Sequence, residues 1–155
     1  MAQSASEISD LLHNSTTVAI VGISDKPDRP SFGVAKYLLE NSHFELFFVN
    51  PVLEEVLGQK VYKSLRDIPV HLDIVDVFRK PADCLSVLEE SIEIGAGAIW
   101  LQLGISVDEV AFQGEKAGLQ VVMDRCIKVE HARFHGGLHL LGFDTGVITA
   151  KKLHR

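Results

Sequence analysis

The sequence predicts an α/β fold with a five-stranded parallel sheet between two layers of helices. Two observations carry this. Short apolar runs (Thr17–Val21, Phe44–Val49, Asp73–Phe78, Ala98–Leu103, Leu119–Met123) recur through the chain, bounded by Gly, Pro and Asn. Between most of them lie segments of about 10 to 15 residues with helical periodicity. That alternation describes βαβ units with right-handed crossovers.

The elements follow in order. Ile8, Leu11 and Leu12 stand at i, i+3, i+4 and predict a short amphipathic helix, Ser6–Leu12, ended by Asn14-Ser15-Thr16. The first strand stops at Gly22. The loop to Pro30 is stiffened by Pro27 and Pro30. Ser31 is the expected N-cap of a helix burying Val34, Tyr37 and Leu38 and ending near Asn41-Ser42. The second strand is apolar almost throughout, as a strand covered on both faces should be, and stops at Asn50-Pro51. Gly58–Tyr62 reads as a turn with a short extended piece, and Ser64–Ile68 as one helical turn. After the third strand, Pro81 opens a helix with Leu85, Leu88 and Ile92 inward, ending at Gly95. The fourth strand closes at Gly104. Ser106-Val-Asp-Glu109 has capping-box spacing and opens a helix with Val107, Val110 and Ala111 inward, stopping near Gly118. A last short helix is expected over Ile127–Ala132. The sequence divides into a domain at 1–132 and an extended tail at 133–155.

Composition narrows the function. Of 155 residues, 46% are apolar and 23% charged, which suits a domain with a sizeable core. No apolar run is long enough to span a bilayer, and Met1-Ala-Gln-Ser-Ala-Ser-Glu7 lacks the features of a signal peptide. Both point away from the membrane and toward the cytoplasm. Two cysteines, Cys84 and Cys126, are too few for a disulfide scaffold. A net charge of −6 argues against nucleic-acid binding, while leaving room for a phosphate-rich small ligand held by local cations and amides.

In a parallel sheet, ligands bind beyond the carboxyl ends of the strands. Those ends are Gly22-Ile-Ser24, Asn50-Pro51, Phe78-Arg79-Lys80, Gln102-Leu-Gly104 and Asp124-Arg125. A dinucleotide fingerprint needs Gly-x-Gly-x-x-Gly and an acid ending the second strand. Here Ser24 replaces the second glycine, the third is absent, and Asn50-Pro51 replaces the acid. That weighs against an NAD(P)-type dinucleotide binder without removing it as an alternative. No Gly-x4-Gly-Lys-Ser/Thr motif occurs, so triphosphate hydrolysis has no support.

Six segments in order carry a resemblance: Val18-Ala-Ile-Val-Gly-Ile-Ser-Asp-Lys-Pro-Asp-Arg-Pro-Ser31, Val49-Asn-Pro51, Gly58-Gln-Lys-Val-Tyr62, Asp73-Ile-Val-Asp-Val-Phe-Arg79, Trp100-Leu-Gln-Leu-Gly104 and Val121-Val-Met-Asp-Arg-Cys126. Over about residues 17–132 the chain resembles the small single-domain CoA-binding proteins, which are similar to the CoA-binding domain of the succinyl-CoA synthetase α subunit. The resemblance implies a Rossmann-like domain holding coenzyme A, or an acyl-CoA, across the carboxyl edge. It implies that Gly22, Ile23 and Ser24 line the phosphates and that Arg29, Pro30 and Ser31 close the loop over them. It places Asn50 and Pro51 beside the adenosine, and Phe78 and Arg79 near the pantetheine or a phosphate.

The synthetase domain with the phosphorylated histidine has no counterpart in 1–132, and no Ser-His-Asp or Cys-His pairing is suggested by position. A binding protein without its own catalytic groups is therefore expected. The alternative is a small enzyme acting on an acyl thioester or nucleotide, with Asp124, Arg125 and Cys126 near the chemistry. The partner expected is CoA or acyl-CoA, with a second copy of the chain or a partner enzyme left open. Cys126 reads first as a buried thiol. A thiol facing the site, able to form a mixed disulfide with CoA, is the alternative. His131, His135 and His139 recur every four residues, a spacing that could bind zinc or nickel on one helix face. Gly136-Gly137 opposes that helix, and the spacing reads better as a surface segment with incidental histidines than as a metal site.

Overall fold

The computed structural model describes residues 3–135. Strands and helices follow in the order α1 (Ala5–Asn14), β1 (Thr17–Val21), α2 (Pro30–Asn41), β2 (Glu45–Val49), β3 (Glu55–Val56), β4 (Gln59–Tyr62), β5 (Ile74–Val77), α3 (Pro81–Glu93), β6 (Ala98–Leu101), α4 (Asp108–Lys116), β7 (Gln120–Val122) and α5 (Ile127–Phe134). One sheet runs β3-β4-β2-β1-β5-β6-β7. It is parallel except for β3, which pairs antiparallel with β4. The architecture is a three-layer, Rossmann-like α/β fold.

Seven strands replace the five expected. The two additional ones are the Glu55–Tyr62 hairpin, whose Leu57 and Gly58 both have positive φ. Only Phe48 and Val49 pair with it, through Val61 and Tyr62. So short a ladder leaves little periodicity to read.

Alternation explains the two cores. Val18 and Ile20 of β1, Phe48 of β2, Ile74 of β5 and Trp100 of β6 face α1, α2 and α5. Ala19, Val21, Val75, Val77, Ile99 and Leu101 face α3, α4 and the turn at Leu65–Asp67. The central strands are therefore apolar on both sides, with one exception. Asp76 is in register with Ile20 and Trp100 and is fully buried on the α5 side.

Several helix details differ from expectation. The N-cap of α2 is Arg29, with Pro30 in its first turn, and Ser31 turns its hydroxyl to the loop instead. Pro30 fixes a helical φ, and its missing N–H costs nothing there. The buried face of α3 is Cys84, Val87, Leu88 and Ser91, while Ile92 is 37% exposed. Cys84 and Ser91 are weaker apolar signals than the leucines, so the stripe reads one residue off. The N-cap of α4 is Val107, with no side-chain cap; its N–H donates to Met123 Sδ at 3.4 Å in place of the Ser106–Glu109 box. In α4, Gly114 is needed for close packing, because a Cβ there would lie 2.8 Å from Val121 Cγ2.

Helix α1 does carry a capping box, Ser4 with Glu7, and buries Ile8, Leu11 and Leu12. Helix α5 runs through Phe134, so Arg133 and Phe134 are helical rather than the start of an extended tail. The tail expected beyond them, with His139 and His154, lies outside the described residues. No helix among the described residues is long and apolar enough to cross a membrane.

Candidate functional site

The carboxyl ends of β1, β2 and β5 are tied together by backbone bonds. Phe78 N donates to Val21 O at 2.8 Å, and the amides of Gly22 and Ile23 both donate to Val49 O, at 3.0 and 3.3 Å. Gly22 makes this crossing possible. Its φ is +90°, and a Cβ would sit 2.5 Å from Phe78 O and 3.1 Å from Arg79 Cδ. No other residue fits between these strand ends without displacing backbone.

The loop after Gly22 is held by side chains. Ser24 N donates to Ser31 Oγ at 3.0 Å, and Lys26 N donates to Ser24 Oγ at 3.1 Å. Asn50 clasps it from β2. Its Nδ2 donates to Ile23 O at 2.9 Å, and its Oδ1 accepts from Val52 N and Leu53 N at 2.8 and 3.0 Å. The amide of Asn50 is thus committed to backbone, which makes it a loop staple.

Two adjoining cavities open over this platform. The larger, about 680 Å³, lies between the starts of α2 and α5. The smaller, about 470 Å³, lies over the loops after β1 and β2. Gly22, Arg29, Phe78 and Arg79 line both. Of the other expected site residues, Pro30 and Ser31 line the larger and Ser24, Asn50 and Pro51 the smaller. Ile23 lines neither; it is 1% exposed and serves through its backbone.

The walls are more basic than the chain. Lys26, Arg29, Arg79, Lys80 and Lys128 stand against Asp25 and Asp28. Arg79 Nη2 pairs with Asp83 Oδ2 at 3.0 Å, one helical turn on. Lys26, Arg29 and Lys80 have no carboxylate partner among the described residues.

The inner end of the larger cavity is built by β6 and α5. Gln102 Oε1 accepts from Ile127 N at 3.1 Å, and Trp100 Nε1 donates to Arg125 O at 2.8 Å. Cys126 caps α5 and lines the cavity beside Gln102. Burial pushes its thiol upward; the Val129 amide, Gln102 and the Lys128 amide oppose this, and Asp76 adds to it. A thiol drawn down by the neighbouring Arg125 is therefore not what forms. Behind it, Asp76 has no partner on either carboxylate oxygen among the described residues. Burial holds its pKa well above the usual carboxylate range.

Gln102, Lys80 and Lys128 escaped the sequence reading as site residues. The first two sit at strand ends and were legible by position. Asp76 was the clearest missed signal, a carboxylate inside an otherwise apolar strand.

The histidines form a separate group. His131 and His135 stack at 4.1 Å between ring centroids, and His13 of α1 stacks on His135 at 4.7 Å. His131 is buried and shares a 3.0 Å hydrogen bond with Tyr37 Oη, so it is a core residue rather than part of a surface segment. Among the described residues no group of three or more His, Cys, Asp or Glu is gathered as metal ligands would be, and His139 of the four-residue spacing lies outside them.

A family model described as a CoA binding domain matches residues 16–132. The chain belongs to the CoA-binding domain family. Its relatives set the scale. It is 43% identical over 130 residues to YneT of Bacillus subtilis (strain 168), itself uncharacterized, covering 83% of this chain and 95% of that one. It is 26% identical over 153 residues to the α subunit of the ADP-forming acetate–CoA ligase II of Pyrococcus furiosus, covering 92% of this chain but 32% of the subunit. Among solved structures, a hypothetical protein from Pyrococcus horikoshii OT3 matches with a TM-score of 0.81 at 38% identity, over 85% of this chain and 92% of that one. The chain is thus similar to a part of that ligase subunit and spans about a third of its length.

Proposed function

We propose that this protein binds coenzyme A or an acyl-CoA across the carboxyl edge of its sheet. The observation that carries the proposal is the pair of adjoining cavities meeting at Gly22, Arg29, Phe78 and Arg79. A ligand with a polyanionic head and a long uncharged arm suits one basic junction with two chambers. The diphosphate lies over the Gly22–Ser24 backbone, within reach of Arg29 and Arg79, and the adenosine occupies the smaller chamber beside Pro51. The pantetheine arm enters the larger chamber toward Gln102 and Cys126. Guanidinium groups pair with phosphate oxygens through charge-assisted hydrogen bonds. The two free thiols, Cys84 and Cys126, suit a reducing compartment such as the cytoplasm. A ligase-type partner enzyme or a second copy of the chain fits the same reading, since the matched ligase protein is itself a subunit.

Calorimetric titration with CoA tests this, with Arg79→Ala beside the wild type. Loss of one charge-assisted contact, worth roughly 1.5–3 kcal/mol, weakens binding about ten- to a hundredfold. No heat of binding to the wild type at millimolar CoA would end the assignment. Equal affinities would remove Arg79 from the site.

A further inference from the structure

We propose that Gln102 selects the acylated form of the ligand: its amide donates to the thioester carbonyl of an acyl-CoA whose short, uncharged acyl chain fills the inner end of the larger cavity. This rests on the CoA reading above and narrows it from the coenzyme to one class of its thioesters.

Gln102 follows β6, lines the larger cavity and is only 5% exposed. Its Oε1 accepts from Ile127 N at 3.1 Å. Turning the amide over would set its N–H groups against the Ile127 N–H, so the two ends cannot exchange. The segment that carries Ile127 is itself fixed. Trp100 Nε1 donates to Arg125 O at 2.8 Å, and Gly104 N donates to Asp124 Oδ1 at 2.7 Å. Gln102 Nε2 is therefore a positioned donor, and among the described residues it has no oxygen acceptor. A buried donor without an acceptor costs stability, and a ligand oxygen placed against it recovers that cost.

The surroundings say which oxygen. Val34, Phe78, Ile105, Cys126 and Val129 give the cavity apolar walls. Its cations stand away from Gln102. Arg29 and Arg79 line the junction with the smaller cavity, Lys80 is exposed, and Lys128 holds its Nζ over the Tyr37 ring, 5.8 Å from the centroid. A carboxylate carried to the inner end would be buried without a cation, which is costly. A carbonyl needs one neutral donor, which Gln102 supplies. The free thiol of CoA is a weak acceptor and leaves the space beyond it unfilled. At about 680 Å³ the cavity has the size of a pocket for a whole small ligand, more than a thin arm needs. An acyl chain uses that space by removing apolar surface from water.

Calorimetry on the full chain compares CoA, acetyl-CoA, butyryl-CoA, succinyl-CoA and S-butyl-CoA, the thioether that lacks the carbonyl. Acetyl-CoA is expected to bind more tightly than CoA, and affinity to rise about threefold per methylene from acetyl to butyryl. Succinyl-CoA, of the same chain length, binds more weakly than butyryl-CoA. Butyryl-CoA binds about two- to tenfold more tightly than S-butyl-CoA, the net effect of one hydrogen bond. Gln102→Met and Gln102→Leu remove the donor and bring thioester and thioether to equal affinity. A merely structural Gln102 would weaken both ligands alike and keep their ratio. The wild-type comparison stands however either variant folds. Equal wild-type affinities for butyryl-CoA and S-butyl-CoA would overturn the proposal, as would free CoA or succinyl-CoA binding as tightly as butyryl-CoA. Such a result with CoA still bound refutes the acyl selection alone. Absence of binding by all of these ligands refutes the CoA reading as well.

Discussion

Asp76→Asn is the most informative single change in the core. Both side chains are nearly the same size, and both leave a polar group buried beside Trp100. They differ in that only the acid titrates. In the folded chain, burial raises the Asp76 pKa well above its unfolded value. Below that unfolded value, about 3.9, both states are protonated and the group adds no pH dependence. Above it, the unfolded chain releases the proton while the folded chain keeps it. Stability then falls by about 1.36 kcal/mol per pH unit until the folded pKa is reached. The Asn variant lacks this loss, so its advantage over the wild type grows with pH. If the carboxyl stays neutral throughout, the advantage reaches about 4 kcal/mol by about pH 7. Urea unfolding from about pH 4.5 to about pH 7.5 measures it, read through the fluorescence of Trp100, the chain's single tryptophan. Other titrations, that of His131 included, are common to both proteins and cancel in the difference. Parallel stability curves for the two proteins would show that Asp76 is ionised or solvated in the fold.

Two further outcomes follow from the same coordinates. Gly22→Ala combines a positive φ with a 2.5 Å approach to Phe78 O, and is expected to cost roughly 2–5 kcal/mol in chemical denaturation; a loss under about 0.5 kcal/mol would mean that the strand ends are not so closely crossed. His131 is held near a pKa of about 4 by burial first, then by His135, His43 and His13. Its folded value lies below the unfolded one, so its contribution is complete above about pH 6.5 and is lost as pH falls toward about 4, amounting to at most about 3 kcal/mol. Imidazole NMR shifts follow this directly, and a His131 midpoint near 6.5 would contradict the burial.

The central architecture was legible because β1, β2, β5 and β6 are covered on both faces and so are written as almost wholly apolar runs, Asp76 and the edge residue Glu45 apart. The edge was not. Glu55–Val56 and Gln59–Tyr62 pair over so few residues, with only Val56 and Val61 buried, that turn geometry rather than hydrophobicity defines them. In the candidate site, the positions of Gly22, Phe78 and Arg79 could be read from the rule that ligands gather at carboxyl ends of parallel strands, whereas Arg29, at the N-cap of α2, was implied only by the family resemblance. The role of Ser31 could not. A serine after a proline reads as a cap, and only the path of the 22–30 loop shows that it serves Ser24 instead. Asn50 likewise reads as a strand stop, while its three hydrogen bonds to backbone depend on where Ile23 and Leu53 come to lie.

The strand order also bears on how the chain reaches its fold. β1 is the first strand in sequence, yet it lies between β2 and β5, and the Thr17–Asp73 bonds that anchor its second edge join residues 56 apart. Closing so long a loop before its contacts form slows folding. During synthesis, Val18-Ala-Ile-Val21 emerges with one neighbour at most until β5 has left the ribosome. For that interval it is an apolar strand with an open edge, the species most prone to pair with another chain. A nascent segment ending at Tyr62 should therefore need a chaperone or the ribosome surface to stay unaggregated, although the finished sheet buries β1 at its centre.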